Sequence, residues 1–137
     1  MRGEQVSHLE AVISASAIAG SLYAPDAAAR SLDDLLLLCI DEVLTDLLGK
    51  RTREAVYDCL ERNYSLSRSD IPGHLNKFFE LLEETFGKGS KTIGKLIIKR
   101  MFDKLEWKFE DIPGFEFMDY MEAIRRRIAR VLIEHAK

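Results

Sequence analysis

Between Ser31 and Gly49 the sequence carries an apolar stripe that a folded chain has to cover. Its members recur at steps of three and four residues, the spacing of one face of an α-helix. They are Leu32, Leu35, Leu36, Cys39, Ile40, Val43, Leu44 and Leu47. Leu37, Leu38 and Leu48 widen the stripe, so it predicts either the central helix of a bundle or a helix with a second interface. The segment Ser31–Asp34 resembles a capping box and predicts the helix start, and Gly49 predicts its end.

Four further segments repeat this helical spacing. The predicted helices run from Thr52 to about Asn63, from His74 to Phe86, from Ser90 to about Leu105, and from about Phe115 to His135. The last helix carries a heptad seam with alternating steps of four and three. The seam consists of Phe117, Met121, Ile124, Ile128, Val131 and His135. The sequence therefore predicts an all-α fold, a bundle of about five main helices.

The first thirty residues differ from the rest, because Ala and Ser dominate and large side chains are few. Val6, Leu9, Ile13 and Ala17 share one helical face, which predicts a weak, loosely attached helix in segment 1–30. Residues 31–137 are predicted to form a single helical domain. Acidic residues lie where a signal peptide would be positively charged, namely at Glu4 and Glu10, so we expect a cytoplasmic protein.

The tetrapeptide Asp-Ile-Pro-Gly occurs twice, at 70–73 and 111–114, each time between two predicted helices. Proline biases the preceding isoleucine toward an extended backbone, and aspartate accepts hydrogen bonds from nearby N–H groups. Both segments are therefore predicted to be stiff connectors. The segment Trp107–Glu110, just before the second copy, alternates with period two and is predicted to be extended.

Composition excludes several classes of protein. The chain has 137 residues, a hydrophobic fraction of 47% and a net charge of -3, which fits a domain with its own core and no dedicated nucleic-acid binder. No apolar run approaches the length of a membrane span, so no membrane partner is expected. The two cysteines, Cys39 and Cys59, cannot form a disulfide framework and are predicted to be buried and reduced.

The sequence indicates no catalytic, metal-binding or cofactor-binding residues. Gly89–Lys95 follows most of a phosphate-loop pattern, but Leu96 occupies the position of the magnesium-binding Ser or Thr. A helix start is the favoured interpretation. His8, His74 and His135 lack a carboxylate three residues earlier, so the Glu-x-x-His element of metal-binding bundles is missing.

One charged helix face stands out. Lys91, Lys95 and Lys99 recur every four residues, Lys88 precedes them by about one turn, and Ser90 lies at the helix start. Stacked like charges are unfavourable, so something should offset them. The lysines either pair with acids of the chain such as Asp34 or Asp41, or bind an acidic partner, a phosphate-bearing ligand or nucleic acid.

A second basic cluster lies in the last predicted helix. Its members are Arg125, Arg126, Arg127 and Arg130. Consecutive arginines point around a helix, so we predict solvation together with pairing to Glu122 and Glu134.

About two thirds of the chain, from Leu36 to Ile128, carries a further pattern of residue order and type. The residues are Leu48-Gly49, Ala55-Val56-Tyr57 with Leu60-Glu61, Asp70-Ile71-Pro72, Phe78 through Leu82-Glu83, Phe86-Gly87-Lys88-Gly89 with Lys91, Leu96-Ile97, Lys104-Leu105, and Phe117 with Tyr120-Met121-Glu122. This pattern resembles the Nitrosopumilus output domain family, which comprises small archaeal helical domains found alone or attached to signalling modules. The resemblance implies an output or interaction role in an archaeal cytoplasm and supplies no catalytic residues.

The sequence thus predicts a non-enzymatic protein–protein interaction or signalling-output module. The alternative is a binding module for a phosphate-bearing ligand or nucleic acid through Lys88, Ser90, Lys91, Lys95 and Lys99. The expected partner is a protein, including a second copy of the chain in a homodimer. The candidate interface residues are Leu37, Leu38, Leu48, Met121 and Ile128.

Overall fold

The computed structural model describes residues 25–136, with side chains from residue 31 onward except at Leu132, His135 and Ala136. These residues form five α-helices, one 3-10 helix and no strand, which confirms the predicted all-α bundle. The α-helices are α1 (Pro25–Leu48), α2 (Lys50–Tyr64), α3 (Leu75–Phe86), α4 (Gly89–Lys104) and α5 (Phe117–Ala136). The 3-10 helix, Arg68–Gly73, lies between α2 and α3.

Helix α1 begins six residues before the predicted start. Pro25 is its first residue, a position that suits proline because the first turn needs no N–H donor. Ser31 lies inside the helix, so the predicted capping box at Ser31–Asp34 is wrong, and α1 passes through the predicted boundary at Arg30 without a break. The weak helix predicted over 6–17 lies outside the described residues.

Glycines end two of the helices, as predicted. Gly49 has φ 86 and donates its N–H to the carbonyl of Thr45, and Gly87 has φ 59 and donates to the carbonyl of Glu83. Both φ values lie in the left-handed region, which glycine reaches without the cost of a Cβ clash. Each reversal allows the next helix to begin within two or three residues.

The described residues group into two compact units, 36–97 and 25–35 with 98–136. Unit 36–97 buries apolar side chains of α1, α2, the 3-10 helix, α3 and the start of α4. The largest fully buried ones are Phe78, Leu36, Ile40, Leu44, Leu60, Ile71, Leu82 and Ile97. The single-domain prediction for 31–137 stays a prediction.

The other unit, 25–35 with 98–136, buries apolar residues of the first turns of α1, the second half of α4 and the first half of α5. They are Leu32, Leu35, Ile98, Met101, Leu105, Tyr120, Met121 and Ile124. The connector between α4 and α5, residues 105–116, has no regular secondary structure. Along 107–110 partly buried and exposed residues alternate, in keeping with the period-two pattern there.

Candidate interaction surfaces

Tyr120 on the first turn of α5 holds the connector in place. The backbone N–H of Ile112 donates to the Tyr120 hydroxyl oxygen at 2.9 Å, and this hydroxyl donates to the Asp111 carboxylate at 3.3 Å. Tyr120 is buried, so its ring anchors the unit while its hydroxyl reaches the connector. Asp119 adds a second fixed point, since its carboxylate accepts the N–H of Glu116 at 2.9 Å.

A β-turn over Ile112–Phe115 forms the outer part of the connector. The Phe115 N–H donates to the carbonyl of Ile112 at 3.1 Å, and Gly114 at the third position has φ 83. A type II turn requires this positive φ at its third position and favours proline at its second, where Pro113 lies. The Pro-Gly pair therefore encodes the turn locally.

Five aromatic rings support this turn through edge-to-face and tilted contacts. Ring centroids lie 6.0 Å apart for Phe102–Trp107, 5.4 Å for Phe102–Phe109, 5.4 Å for Phe109–Tyr120 and 5.1 Å for Phe115–Tyr120. Such pairs add stability beyond the apolar area that they bury. The continuous run of rings links α4 to the exposed end of the connector.

The connector and the start of α5 present a cluster of exposed apolar side chains, which we call the docking surface: Ile112, Phe115 and Met118. Their exposed fractions are 39%, 39% and 52%. Six large apolar side chains are exposed among the described residues, and three of them fall within these seven positions. Exposed carboxylates accompany the docking surface in sequence, at Glu110, Asp111, Glu116 and Asp119.

Sequence reasoning missed the docking surface. It treated both Asp-Ile-Pro-Gly segments as equivalent stiff connectors and placed the candidate interface of α5 on its heptad seam, at Met121 and Ile128. The available signal was the concentration of acids around Ile112 and Phe115, because acidic residues are mostly exposed and a segment rich in them tends to lie at the surface.

The predicted lysine face is exposed at Lys88, Lys91, Lys95 and Lys99, and Gly89–Lys95 forms the first turns of α4. Lys99 is engaged within its own unit, since its Nζ lies 5.6 Å from the centroid of the Phe109 ring. Ser90 is buried and its Oγ donates to the carbonyl of Gly87 at 2.8 Å. Ser90 thus lies in the first turn of α4 with its hydroxyl proton donated to the chain itself, so that proton is not available to an anion.

The suggested pairing of these lysines with Asp41 is wrong, because Asp41 is bound by other groups. Its two carboxylate oxygens accept Arg68 Nε at 3.0 Å and Arg68 Nη2 at 2.6 Å, and Tyr57 donates its hydroxyl to the same carboxylate. A bidentate arginine–carboxylate pair is among the stronger charge-assisted contacts. Asp41 therefore joins α1 to α2 and to the 3-10 helix.

The pKa values of Tyr57 and Arg68 shift in the directions that their contacts with Asp41 predict. Burial, and next the hydrogen bond to Asp41, raise the pKa of Tyr57 above its ordinary range. The hydrogen bond to Asp41 raises the pKa of Arg68. Tyr57 thus stays protonated and Arg68 charged, so this cluster is a structural clasp within unit 36–97.

The predicted interface residues divide into buried and accessible ones. Leu37 and Met121 lie in the interior, with exposed fractions of 6% and 0%, so they offer no surface to a partner. Leu48 and Ile128 are half-buried, and Leu38 is exposed. Leu37 packs inward because the broad stripe of α1 is covered on more than one side, which favours the central-helix alternative.

Among the residues that the structure describes, no three His, Cys, Asp or Glu side chains are arranged to hold a metal ion. Cys39 is buried as predicted, whereas Cys59 is only partly buried, with Arg62 Nη2 3.9 Å from its Sγ. The prediction that both thiols are buried is thus wrong for Cys59, which lies near the edge of the apolar face of α2.

Comparisons with models of protein families, with curated proteins and with solved structures find no match to this chain. Within residues 25–136, no helix is both long enough and apolar enough to cross a bilayer.

Proposed function

We propose that this protein is a non-enzymatic interaction module that docks a partner protein on Ile112, Phe115 and Met118. Among the described residues, half of the large apolar side chains that are exposed lie within seven positions, and this observation carries the proposal. An exposed apolar cluster rimmed by polar residues is typical of a protein–protein contact.

The bracing of this surface supports the proposal. Tyr120 and the run of aromatic rings fix the turn before any partner arrives, so binding would order few side chains and would retain more of its contact energy. The carboxylates around the turn would select a partner with a basic rim. As the resemblance implies, the module would act as a signalling output domain in an archaeal cytoplasm.

A photo-cross-linking amino acid at position 115 tests this proposal, with position 76 on α3 as the control. After incubation with an extract of the source cells, we expect one protein to be cross-linked at 115 and not at 76. With that protein purified, Phe115→Asp should weaken binding by about tenfold or more, because central aromatic residues dominate such contacts. Equal adducts at both positions would count against the docking surface.

A matched control separates a local effect from a general loss of apolar surface. Leu47→Asp changes a side chain of similar exposure, 47%, on α1 in the other unit. Binding should survive this change, and circular dichroism should show both variants folded. If Leu47→Asp and Phe115→Asp weaken binding equally, the docking surface is not the site.

The alternative function uses the exposed lysines that lie within unit 36–97, namely Lys88 just before α4 and Lys91 and Lys95 on α4. Their exposure on successive turns favours a phosphate-bearing polymer as the ligand. A titration with a single-stranded oligonucleotide at two salt concentrations tests it. Changing all three to Gln should weaken binding and flatten its salt dependence, because fewer counterions are released. The control variant changes Lys50, Arg51 and Lys108 to Gln. If the change at Lys88, Lys91 and Lys95 leaves binding unchanged, this alternative is removed.

A further inference from the structure

Helix α5 and the residues just before it have a divided charge pattern as far as Ile133, after which one exposed acid, Glu134, follows. Residues 110–122 contain five acids and no base, whereas residues 123–133 contain four arginines and no acid. Acids near the start and bases near the end suit the helix dipole, and this accounts for part of the pattern. The dipole does not account for exposed apolar side chains, and α5 has one at each end.

These end residues are Met118 and Ile133, the two most exposed large apolar side chains among the described residues, at 52% and 58%. Between them, charged residues occupy the outward face of α5. Asp119, Glu122, Arg126, Arg130 and Ile133 recur at steps of three or four, and all are exposed. The inward face carries Tyr120, Met121 and Ile124, which are buried.

The outward face therefore reads, from start to end, as apolar, acidic, basic and apolar. At 1.5 Å per residue, Met118 and Ile133 lie about 22 Å apart along the axis. Arg127 is not part of this face, because its guanidinium lies 4.2 Å from the centroid of the Trp107 ring. Arg126 reaches back to Glu122, with Nε 3.3 Å from the carboxylate, an exposed pair that other contacts could replace.

We propose that the outward face of α5 binds the same face of a second copy of the chain, with the two helices antiparallel. In this arrangement the acidic start of each helix lies beside the end of the other helix that carries Arg130. An antiparallel pair centred near Arg126 places Glu122 of one copy level with Arg130 of the other, and Met118 level with Ile133 of the other.

A second copy fits this face better than an unrelated basic or acidic partner. A basic partner would match the acidic half and face the arginines with like charge, and an acidic partner would do the reverse. A parallel pair would place acids beside acids and arginines beside arginines. An antiparallel pair places Glu122 of each copy beside Arg130 of the other, with the two Arg126 side chains level at the two-fold axis. It forms a closed contact in which every interaction off the axis occurs twice.

This inference rests on the proposed function, because it names one partner for the docking surface, to which Met118 belongs. It also differs from the predicted homodimer, whose candidate interface included Met121 and Ile128 of the heptad seam of α5. Met121 and Ile124 of that seam are fully buried in their own unit, so they cannot face a second copy.

Charge reversal of the full chain tests the contact. Glu122→Arg alone and Arg130→Glu alone should each weaken the dimer by about tenfold or more, since two attractive pairs become repulsive in each case. Mixing the two variants should restore wild-type affinity, because each Arg at 122 then faces a Glu at 130 in the other chain. Sedimentation equilibrium over a concentration series measures all three dissociation constants.

Two controls accompany these measurements. Glu83→Arg reverses an exposed acid on α3 and should leave the dimer unchanged. Circular dichroism should show every variant folded, since the altered side chains are exposed. Higher salt should weaken the wild-type dimer by screening its charge pairs.

The orientation has its own test, in a Cys59→Ser background that removes the partly buried thiol. A short bis-maleimide should join Met118→Cys of one chain to Ile133→Cys of another when the two variants are mixed. Neither variant alone should cross-link to itself. Self-cross-linking of Met118→Cys would show a parallel pair and overturn the proposal.

The outcomes separate this inference from the function on which it rests. A wild-type chain that stays monomeric up to millimolar concentration overturns the antiparallel pair. If a cross-linker at position 115 still captures one different protein, the docking function survives that result. If neither a dimer nor a specific adduct forms, both proposals fail.

Discussion

In unit 36–97 the first Asp-Ile-Pro-Gly segment buries its isoleucine completely, whereas the second segment, in the other unit, leaves its isoleucine 39% exposed. Both copies keep the same backbone hydrogen bond, in which the N–H three residues later donates to the isoleucine carbonyl, at 2.9 Å for Ile71 and 3.1 Å for Ile112. They differ at the glycine. Gly114 has φ 83, and Gly73 is not in the left-handed region.

Residues outside the tetrapeptides account for this difference. Ser67 lies three residues before Asp70, and its N–H and Oγ both donate to the Asp70 carboxylate at 2.9 Å, forming a capping box that starts a 3-10 helix. Lys108 occupies the matching position before Asp111 and has no hydroxyl group to donate. In the second copy the Tyr120 hydroxyl takes over, accepting the N–H of Ile112.

The comparison shows how one local sequence serves two purposes. The proline and glycine set a turn in both places, and the neighbouring donors decide whether that turn points its isoleucine inward or outward. The first copy stabilises a core. The second copy presents a braced apolar turn, the kind of surface on which a partner can dock.

The largest expected difference between the two copies is in the stability that the protein loses when each isoleucine is changed to alanine. Ile71→Ala should lower the free energy of unfolding by about 3 kcal/mol, because it leaves a cavity in a packed interior. Ile112→Ala should lower it by less than about 1 kcal/mol, because its side chain is partly in water already. Urea denaturation of both variants measures the contrast. Similar losses would show that Ile112 is as buried as Ile71.

The glycines should respond with opposite signs. Gly114→Ala should destabilise the protein by about 1 to 2 kcal/mol, because φ 83 forces a Cβ clash with the backbone. Gly73→Ala should be neutral or stabilising by up to about 0.5 kcal/mol, since open space surrounds a Cβ there and the unfolded chain loses freedom. Thermal melts of the two variants decide, and a destabilised Gly73→Ala would remove the backbone distinction between the copies.

Removing the hydroxyl of Tyr120, which takes the place of the capping box in the second copy, should have a smaller effect on stability. Tyr120→Phe removes the acceptor of the Ile112 N–H and should cost about 1 kcal/mol. Amide hydrogen exchange at Ile112 should accelerate, which reports the loosening of the connector directly. Tyr64→Phe in the other unit is the matched control. Unchanged exchange at Ile112 would show that the aromatic rings alone hold the turn.

The smallest expected effect concerns pH. The Ser67 N–H, and next its hydroxyl, lower the pKa of Asp70 below its usual range. Because the folded pKa is the lower one, this stabilisation is present above the unfolded pKa of about 4 and is lost as pH falls through the folded value. Asp70→Asn should therefore flatten the acid side of the stability profile, measured by urea melts from neutral to acidic pH.

A control for net charge sharpens the pH test. Asp34→Asn removes one exposed carboxylate outside both tetrapeptides. It should leave the shape of the acid limb close to that of the wild type. If Asp34→Asn and Asp70→Asn change the profile equally, the effect comes from overall charge and not from the capping box.

The helices could be located from the sequence because their signals are local. Apolar spacing of three and four residues marked the inward faces of α1 and α3. Gly49 and Gly87 marked the ends of these two helices, since glycine readily adopts the left-handed backbone conformation that ends a helix. Boundaries failed where two local signals compete. Ser31 offered a cap, yet the apolar stripe and Pro25 extend α1 earlier, and packing of Leu32 and Leu35 supports that extension.

The docking surface could not be predicted, because exposure depends on what covers a residue. Met121 and Ile128 of the α5 seam are both apolar, yet Met121 is buried and Ile128 half-buried, while Met118 and Ile133 on the other side are exposed. The role of Asp41 could not be predicted either, because its partner Arg68 lies 27 residues away in the sequence.

What the sequence by itself determined is therefore the set of helices, the turns at glycine and proline, and the divided charges of residues 110–133, all of which follow from neighbours within a few positions. Only the tertiary structure decided which of two identical tetrapeptides buries its isoleucine, which carboxylate an arginine occupies, and which apolar residues meet water. These depend on groups distant in sequence, such as Arg68 for Asp41, or on a single donor or acceptor whose partner is fixed by packing, such as the Tyr120 hydroxyl. Local sequence sets the backbone geometry, and packing against other helices assigns each face an inside or an outside.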